Sequence, residues 1–195
     1  MSALVLASGS ASRRAILEKA GISFGIDPAD IDEAAFKRGF AGSPGALALA
    51  LAEAKALAVS KRQPGAYVLG ADQVLEFEGA AYDKARDVAE ARARLETFAG
   101  RTHWLKGGLA IVRDGDVIWR HESACRMEMR PLSDAFLDRY MEEAGDILTK
   151  GVGAYAYEGL GAQLFSEVEG DFFAVLGLPL LPLLAFLREE GVIAS

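Results

Sequence analysis

The run Leu4-Val5-Leu6-Ala7-Ser8-Gly9-Ser10-Ala11-Ser12-Arg13-Arg14 leaves the chain few ways to begin. Four apolar residues read as a buried strand. They stop abruptly at three serines and a glycine, and two arginines then open a helix-like stretch. A strand, a small polar turn and a cationic helix start together hold an anion well. The helix terminus and its N–H groups favour negative charge. Arginine adds a forked donor that matches phosphate oxygens. The same residues also suit a plain strand-to-helix connection capped by serines, and they match no Walker-type pattern.

Downstream, Ser12–Ala20 reads as a helix ended by Gly21, and Phe24–Ile26 as a short strand. Asp27 to Glu33 reads as a loop with four carboxylates in seven residues. Ser43-Pro44 is a helix start, with Ser as N-cap and Pro at the first turn, and the helix should reach Ser60. Tyr67–Gly70 reads as a second buried strand ending beside Asp72, with Gln73–Phe77 as another. Asp87–Ala99 is an amphipathic helix, and Asp114-Gly115 joins two long strands, Thr102–Arg113 and Asp116–Met129. Ser133 caps a helix to about Glu143. Gly151–Tyr157 and Leu164–Glu169 read as strands, and Leu180–Glu190 as the last helix. Mixed strands and helices with a long antiparallel hairpin give an α/β or α+β chain with a mixed sheet. Residues 1–195 read as a single domain, since no linker or composition shift divides them.

The net charge of −7 argues against a nucleic-acid partner, which needs a basic face, but leaves room for a small anion in a locally basic pocket. Cys125 is the only cysteine, so neither a disulfide framework nor a thiolate metal cluster is expected, and a reducing cytoplasm fits. The longest apolar run, Leu176 to Leu187, is broken by Gly177, Pro179 and Pro182 and is too short to span a bilayer; no membrane association is expected.

Asp72, at the end of an apolar strand, reads either as a carboxylate that meets a cation or a water, or as a turn cap. Lys55, Lys84 and Lys150 each read in isolation as solvated surface lysines. Glu158, beside Gly159, reads alone as a turn carboxylate. His103, in an apolar strand, reads as a hydrogen-bonded strand residue rather than a catalyst.

Taken together and in order, these stretches carry a resemblance. Leu6-Ala7-Ser8-Gly9-Ser10 with Arg13-Arg14, Ile31-Asp32-Glu33, Ala52-Glu53-Ala54-Lys55-Ala56, Gly70-Ala71-Asp72-Gln73-Val74, Gly153-Ala154-Tyr155 with Glu158-Gly159, and Val175-Leu176-Gly177-Leu178-Pro179-Leu180 make the chain resemble the Maf family of nucleotide pyrophosphatases along nearly its whole length. The resemblance implies an α/β fold, a mixed twisted sheet flanked by helices, with two lobes around a central cleft. It implies a cytoplasmic homodimer that uses a divalent cation, Mg²⁺ or Mn²⁺, to hydrolyse nucleoside triphosphates between the α and β phosphates. Asp72 would be the acidic residue at the reaction centre, and Glu33 would join it near the metal. Ser8, Ser10, Arg13, Lys55 and Lys84 would hold phosphates. Arg13, Gln73 and Glu158 would bear on substrate choice.

Within that family, Gln73 and Glu158-Gly159 resemble the 7-methyl-GTP pyrophosphatase branch rather than the dTTP/UTP branch. Guanine presents N1–H and N2–H₂ side by side, which a carboxylate can accept together, and N7 methylation strengthens both donors. Uracil and thymine offer one N3–H between two carbonyls, a pattern suited to a neutral amide. The chain departs from the family pattern at Ala11 and Ala85, where Pro is usual, and at Ala156-Tyr157 before Glu158. The rival readings are a dTTP/UTP pyrophosphatase and a nucleotide-binding regulator of division without useful turnover.

Overall fold

The computed structural model describes residues 3–194. In chain order, β1 (Leu4–Leu6) leads to α1 (Ala11–Lys19), β2 (Gly25–Ile26), α2 (Glu33–Gly39) and α3 (Pro44–Ser60). Next come β3 (Tyr67–Phe77), β4 (Ala80–Tyr82), α4 (Val88–Phe98), β5 (Thr102–Arg113) and β6 (Asp116–Met129). The last elements are α5 (Asp134–Ala144), α6 (Ile147–Lys150), a 3-10 helix at Leu160–Leu164, β7 (Phe165–Glu169), α7 (Phe172–Val175) and α8 (Leu180–Glu189). Local chemistry accounts for most boundaries. Ser10, Ser43, Asp87 and Ser133 each accept a main-chain N–H of the helix they precede. Asp114 and Gly115 both have positive φ, which lets β5 turn tightly into β6.

The seven strands form one mixed sheet in the order β2-β1-β3-β5-β6-β7, with β4 also on β3. β1 runs parallel to β2 and β3, and the remaining pairs are antiparallel. One irregularity governs the rest. On a single edge of β3, β1 pairs with Tyr67 to Leu69 and β4 pairs with Leu75 to Phe77. Between them the sheet forks, and Asp72 stands in the middle of the fork. The turn after β1 and the loop after β4 both end at this opening.

The two faces of β3 are divided by its alternation. Val68 and Val74 pack against α3 with Ala56, Val59, Leu47 and Leu51. Leu69 and Ala71 face α1 and α8, whereas Leu75 and Phe77 face α4 and α5. The second face therefore carries two apolar clusters, one on each side of Gln73. Two glycines let α3 lie unusually close to the sheet. A Cβ on Gly70 would stand 1.9 Å from the Ala52 carbonyl oxygen, and one on Gly108 would stand 2.4 Å from the Leu49 backbone.

Several local expectations are corrected. Tyr67–Phe77 is one continuous strand, so Asp72 does not end a strand; the strand beside it does. The carboxylate-rich loop stops at Asp32, which caps α2 by accepting the Ala35 N–H at 2.9 Å. Gly151–Tyr157 is not a strand, because Ala154 sits at φ +60 and turns the chain. Among the described residues, no helix is long and apolar enough to cross a membrane.

Candidate functional site

At the fork lies a cleft of about 580 Å³. Five cationic side chains line it, Arg13, Lys37, Lys55, Lys84 and Lys150, against three carboxylates, Glu33, Asp72 and Asp83. The chain as a whole is acidic, so this is a local reversal of sign, and it concentrates positive potential where an anion would enter.

The turn after β1 supplies the first wall. Ser8 Oγ accepts the Ser10 N–H at 3.2 Å, and Ser10 Oγ caps α1 at the Arg13 N–H, 3.4 Å away. Arg13 is 9% exposed. Its Nε donates to the Gly177 carbonyl at 2.9 Å and its Nη1 to Ser8 Oγ at 3.2 Å. Burial lowers its pKa, and the nearby charges of Asp72 and Glu33 work the other way. Arg14 points outward and pairs with Glu18 at 2.7 Å.

Lys55 is the centre of the site. It lies on the buried side of α3, in register with Ala48, Leu51, Ala52 and Val59, and is 8% exposed. Its sequence neighbours alone predict a solvated lysine; the close approach of α3 at Gly70 overturns that. Lys55 Nζ donates to Asp72 at 2.6 Å and meets Glu33 at 2.9 Å. Asp72 is itself 9% exposed. A buried carboxylate on an apolar strand is costly, and this ammonium offsets the cost.

Lys37 was not singled out from the sequence. It stands on α2 four residues after Glu33, on the same helix face, and pairs with Asp83 at 2.5 Å. Burial pulls its pKa down, but Asp83, Asp72 and Glu33 outweigh that, and the net shift is upward. The legible signal was Asp32 as an N-cap ahead of Glu33-Ala34-Ala35. Lys84 and Lys150 are exposed on the cleft's rim.

A second cavity of about 510 Å³ shares Ser10, Ser12, Gln73, Lys84 and Lys150 with the first. Its other walls are more apolar, including Leu105, Tyr155, Tyr157 and Val175, and Glu158 is exposed at its edge. The Gln73 amide nitrogen is engaged, donating to the Ala174 and Val175 carbonyls at 2.9 and 3.3 Å. Tyr157 meets Phe165 and Phe172 at ring distances of 5.9 and 6.2 Å.

Tyr155 is fixed from behind. Its hydroxyl lies 2.6 Å from His103 Nε2, and His103 is completely buried, stacked on Phe98. The strand reading of His103 therefore holds. Burial lowers its pKa from 6.5 to about 4. The unfolded chain takes up a proton near pH 6.5 while the folded one resists until about pH 4, so His103 gives its full stability above pH 6.5 and loses it progressively as pH falls toward 4. At about 1.4 kcal/mol per unit, that loss reaches roughly 3 kcal/mol. Urea unfolding should show a steeper acid loss in the wild type than in His103→Phe. Parallel curves for the two would assign the acid sensitivity to other groups.

A cleft with this composition suits proteins that hold a polyphosphate beside a buried carboxylate. The family described as Maf-like protein matches residues 3–190, and the chain belongs to it. A protein of Maricaulis maris named nucleoside triphosphate pyrophosphatase is 53% identical over 99% of both chains. A Paramagnetospirillum magneticum protein of the same name is 49% identical over 96% of this chain and 98% of its own. One from Brucella suis, named 7-methyl-GTP pyrophosphatase, is 47% identical over 97% of each.

Proposed function

We propose that this chain, a hydrolase of the nucleoside triphosphate pyrophosphatase class, cleaves its substrate between the α and β phosphates and prefers 7-methyl-GTP. The observation that carries the reaction is the Lys55 ammonium held between Asp72 and Glu33 at the floor of a cationic cleft. Arg13 and the lysines neutralise the triphosphate and align it. Asp72 orients a water and takes its proton as the water attacks the α phosphorus, and pyrophosphate leaves. Lys55 holds the Asp72 carboxylate in place. Positioning and charge stabilisation do most of the catalytic work.

Asp72 and Glu33 are also the residues suited to a divalent cation. No cluster of three or more His, Cys, Asp or Glu stands ready for one among the described residues. Two carboxylates completed by phosphate oxygens are nevertheless an ordinary Mg²⁺ environment. A bound Mg²⁺ or Mn²⁺ ion would supply charge neutralisation at the phosphates.

Support for the methylated guanine comes from Glu158 at the edge of the more apolar cavity, and from the Brucella suis relative's name. The test is pyrophosphate release from 7-methyl-GTP, GTP, dTTP, UTP and CTP with added Mg²⁺ or Mn²⁺, in wild type and Glu158→Gln. The wild type should favour 7-methyl-GTP. Loss of a charge-assisted pair should lower kcat/KM for it roughly 30-fold in the variant, and for UTP less than about threefold. An equal loss for both would remove Glu158 from base selection. A wild type that favours dTTP or UTP would place the chain in the other branch, and no release at all would favour a binding regulator.

A further inference from the structure

Arg94 lies behind the cleft, outside its lining, on the face of α4 that also buries Ala91, Leu95 and Phe98. It is 6% exposed. A guanidinium among such neighbours is rare unless its donors are used. Here they are. Nη1 donates to two main-chain carbonyls, that of Asp83 and that of Val152, the latter at 2.6 Å. Nη2 meets Glu90 at 3.2 Å, and the group lies 5.4 Å from the centre of the Tyr82 ring.

The two carbonyls belong to the two segments that bring exposed lysines to the cleft. Asp83 immediately precedes Lys84, and Val152 follows Lys150 and Gly151; all five of these residues line the cleft. We propose that Arg94 is a positioning residue for phosphate binding: by tying both segments to one guanidinium, it sets the separation of Lys84 and Lys150 and hence the width of the cationic wall. The Lys84 loop has Ala85 buried where the related pattern has Pro, so its shape depends on such a tie rather than on a fixed φ. This inference rests on the reading of the cleft as a triphosphate site.

The test uses Arg94→Lys in the full chain. An ammonium keeps the charge but loses the planar fork that spans two carbonyls. Lys84 and Lys150 bind the substrate before and during the reaction alike, so their displacement acts on KM. KM for the best triphosphate should rise roughly tenfold with kcat within about threefold. Amide exchange should quicken together in residues 83–86 and 150–153. A lower melting temperature with KM unchanged would reduce Arg94 to a packing role and overturn the proposal.

Calorimetry with inorganic tripolyphosphate separates this from the assigned activity. If the wild type binds tripolyphosphate yet releases no pyrophosphate from any nucleotide, the enzymatic reading fails. Roughly tenfold weaker binding by Arg94→Lys would still uphold the positioning role, and equal binding would overturn it. Should Arg94→Lys not fold, Glu90→Gln loosens the guanidinium at Nη2, and Arg86→Ala is its control, because Glu90 also pairs with Arg86 at 2.7 Å. About a threefold rise in KM, or in the tripolyphosphate Kd, beyond that of Arg86→Ala supports the proposal, and no difference from Arg86→Ala overturns it.

Discussion

Asp72→Asn should cut pyrophosphate release on the order of 10³-fold while triphosphate affinity changes less than about tenfold. The amide matches the carboxylate in size, so the floor of the cleft keeps its shape. It cannot accept a proton from water, and it no longer balances the Lys55 ammonium now 2.6 Å away. Glu33 remains at 2.9 Å, so Lys55 keeps one anionic partner and the buried charge is not orphaned. Single-turnover assays beside calorimetric binding would separate the two effects. Turnover within tenfold of wild type would remove Asp72 from the chemistry.

Gly70→Ala has the largest expected structural effect. In an open strand the substitution would be mildly favourable, by about 0.5–1 kcal/mol, since alanine loses less conformational freedom. Here the new Cβ meets the Ala52 carbonyl oxygen at 1.9 Å, and that oxygen belongs to helix backbone that cannot swing aside. Relief requires α3 to lift from the sheet. The overpacking cost of about 3 kcal/mol therefore wins, and the melting temperature should fall by roughly 10 °C. Lys55 lies one helical turn beyond Ala52 and moves with α3, so activity should fall in the fraction that remains folded. Calorimetric melting beside specific activity reads both. A melting temperature equal to wild type would show that α3 sits farther from β3 than described.

The sequence made the punctuation of the fold legible. Serine caps, positive-φ turns and apolar periodicity placed α1, α3, α4, α5, α8 and the β5–β6 hairpin close to where they lie, because each signal acts within a few residues. It failed where the decision was non-local. In the sequence alone a carboxylate amid apolar residues looks like a strand end, which predicts a break at Asp72. The strand continues because Lys55, seventeen residues earlier, offsets that charge. The stretch Gly151–Tyr157 looked extended. Its carbonyls are instead held by Arg94 and by Tyr140, whose hydroxyl donates to Ala154 at 3.0 Å.

Composition and motif order by themselves determined that Leu4–Arg14 runs from a buried strand through a small polar turn into a helix, open to an anion or to a plain connection, and the order of the motifs pointed to a family of nucleotide pyrophosphatases. They could not say whether Arg13, Lys55 and Asp72 meet, since single lysines and carboxylates carry no directional signal. Tertiary structure decided that. β1 and β4 pair with opposite ends of one edge of β3 and leave a gap between them, and glycine at position 70 lets α3 approach. Charges distant in sequence then share one cleft, at separations where desolvation makes each of them count.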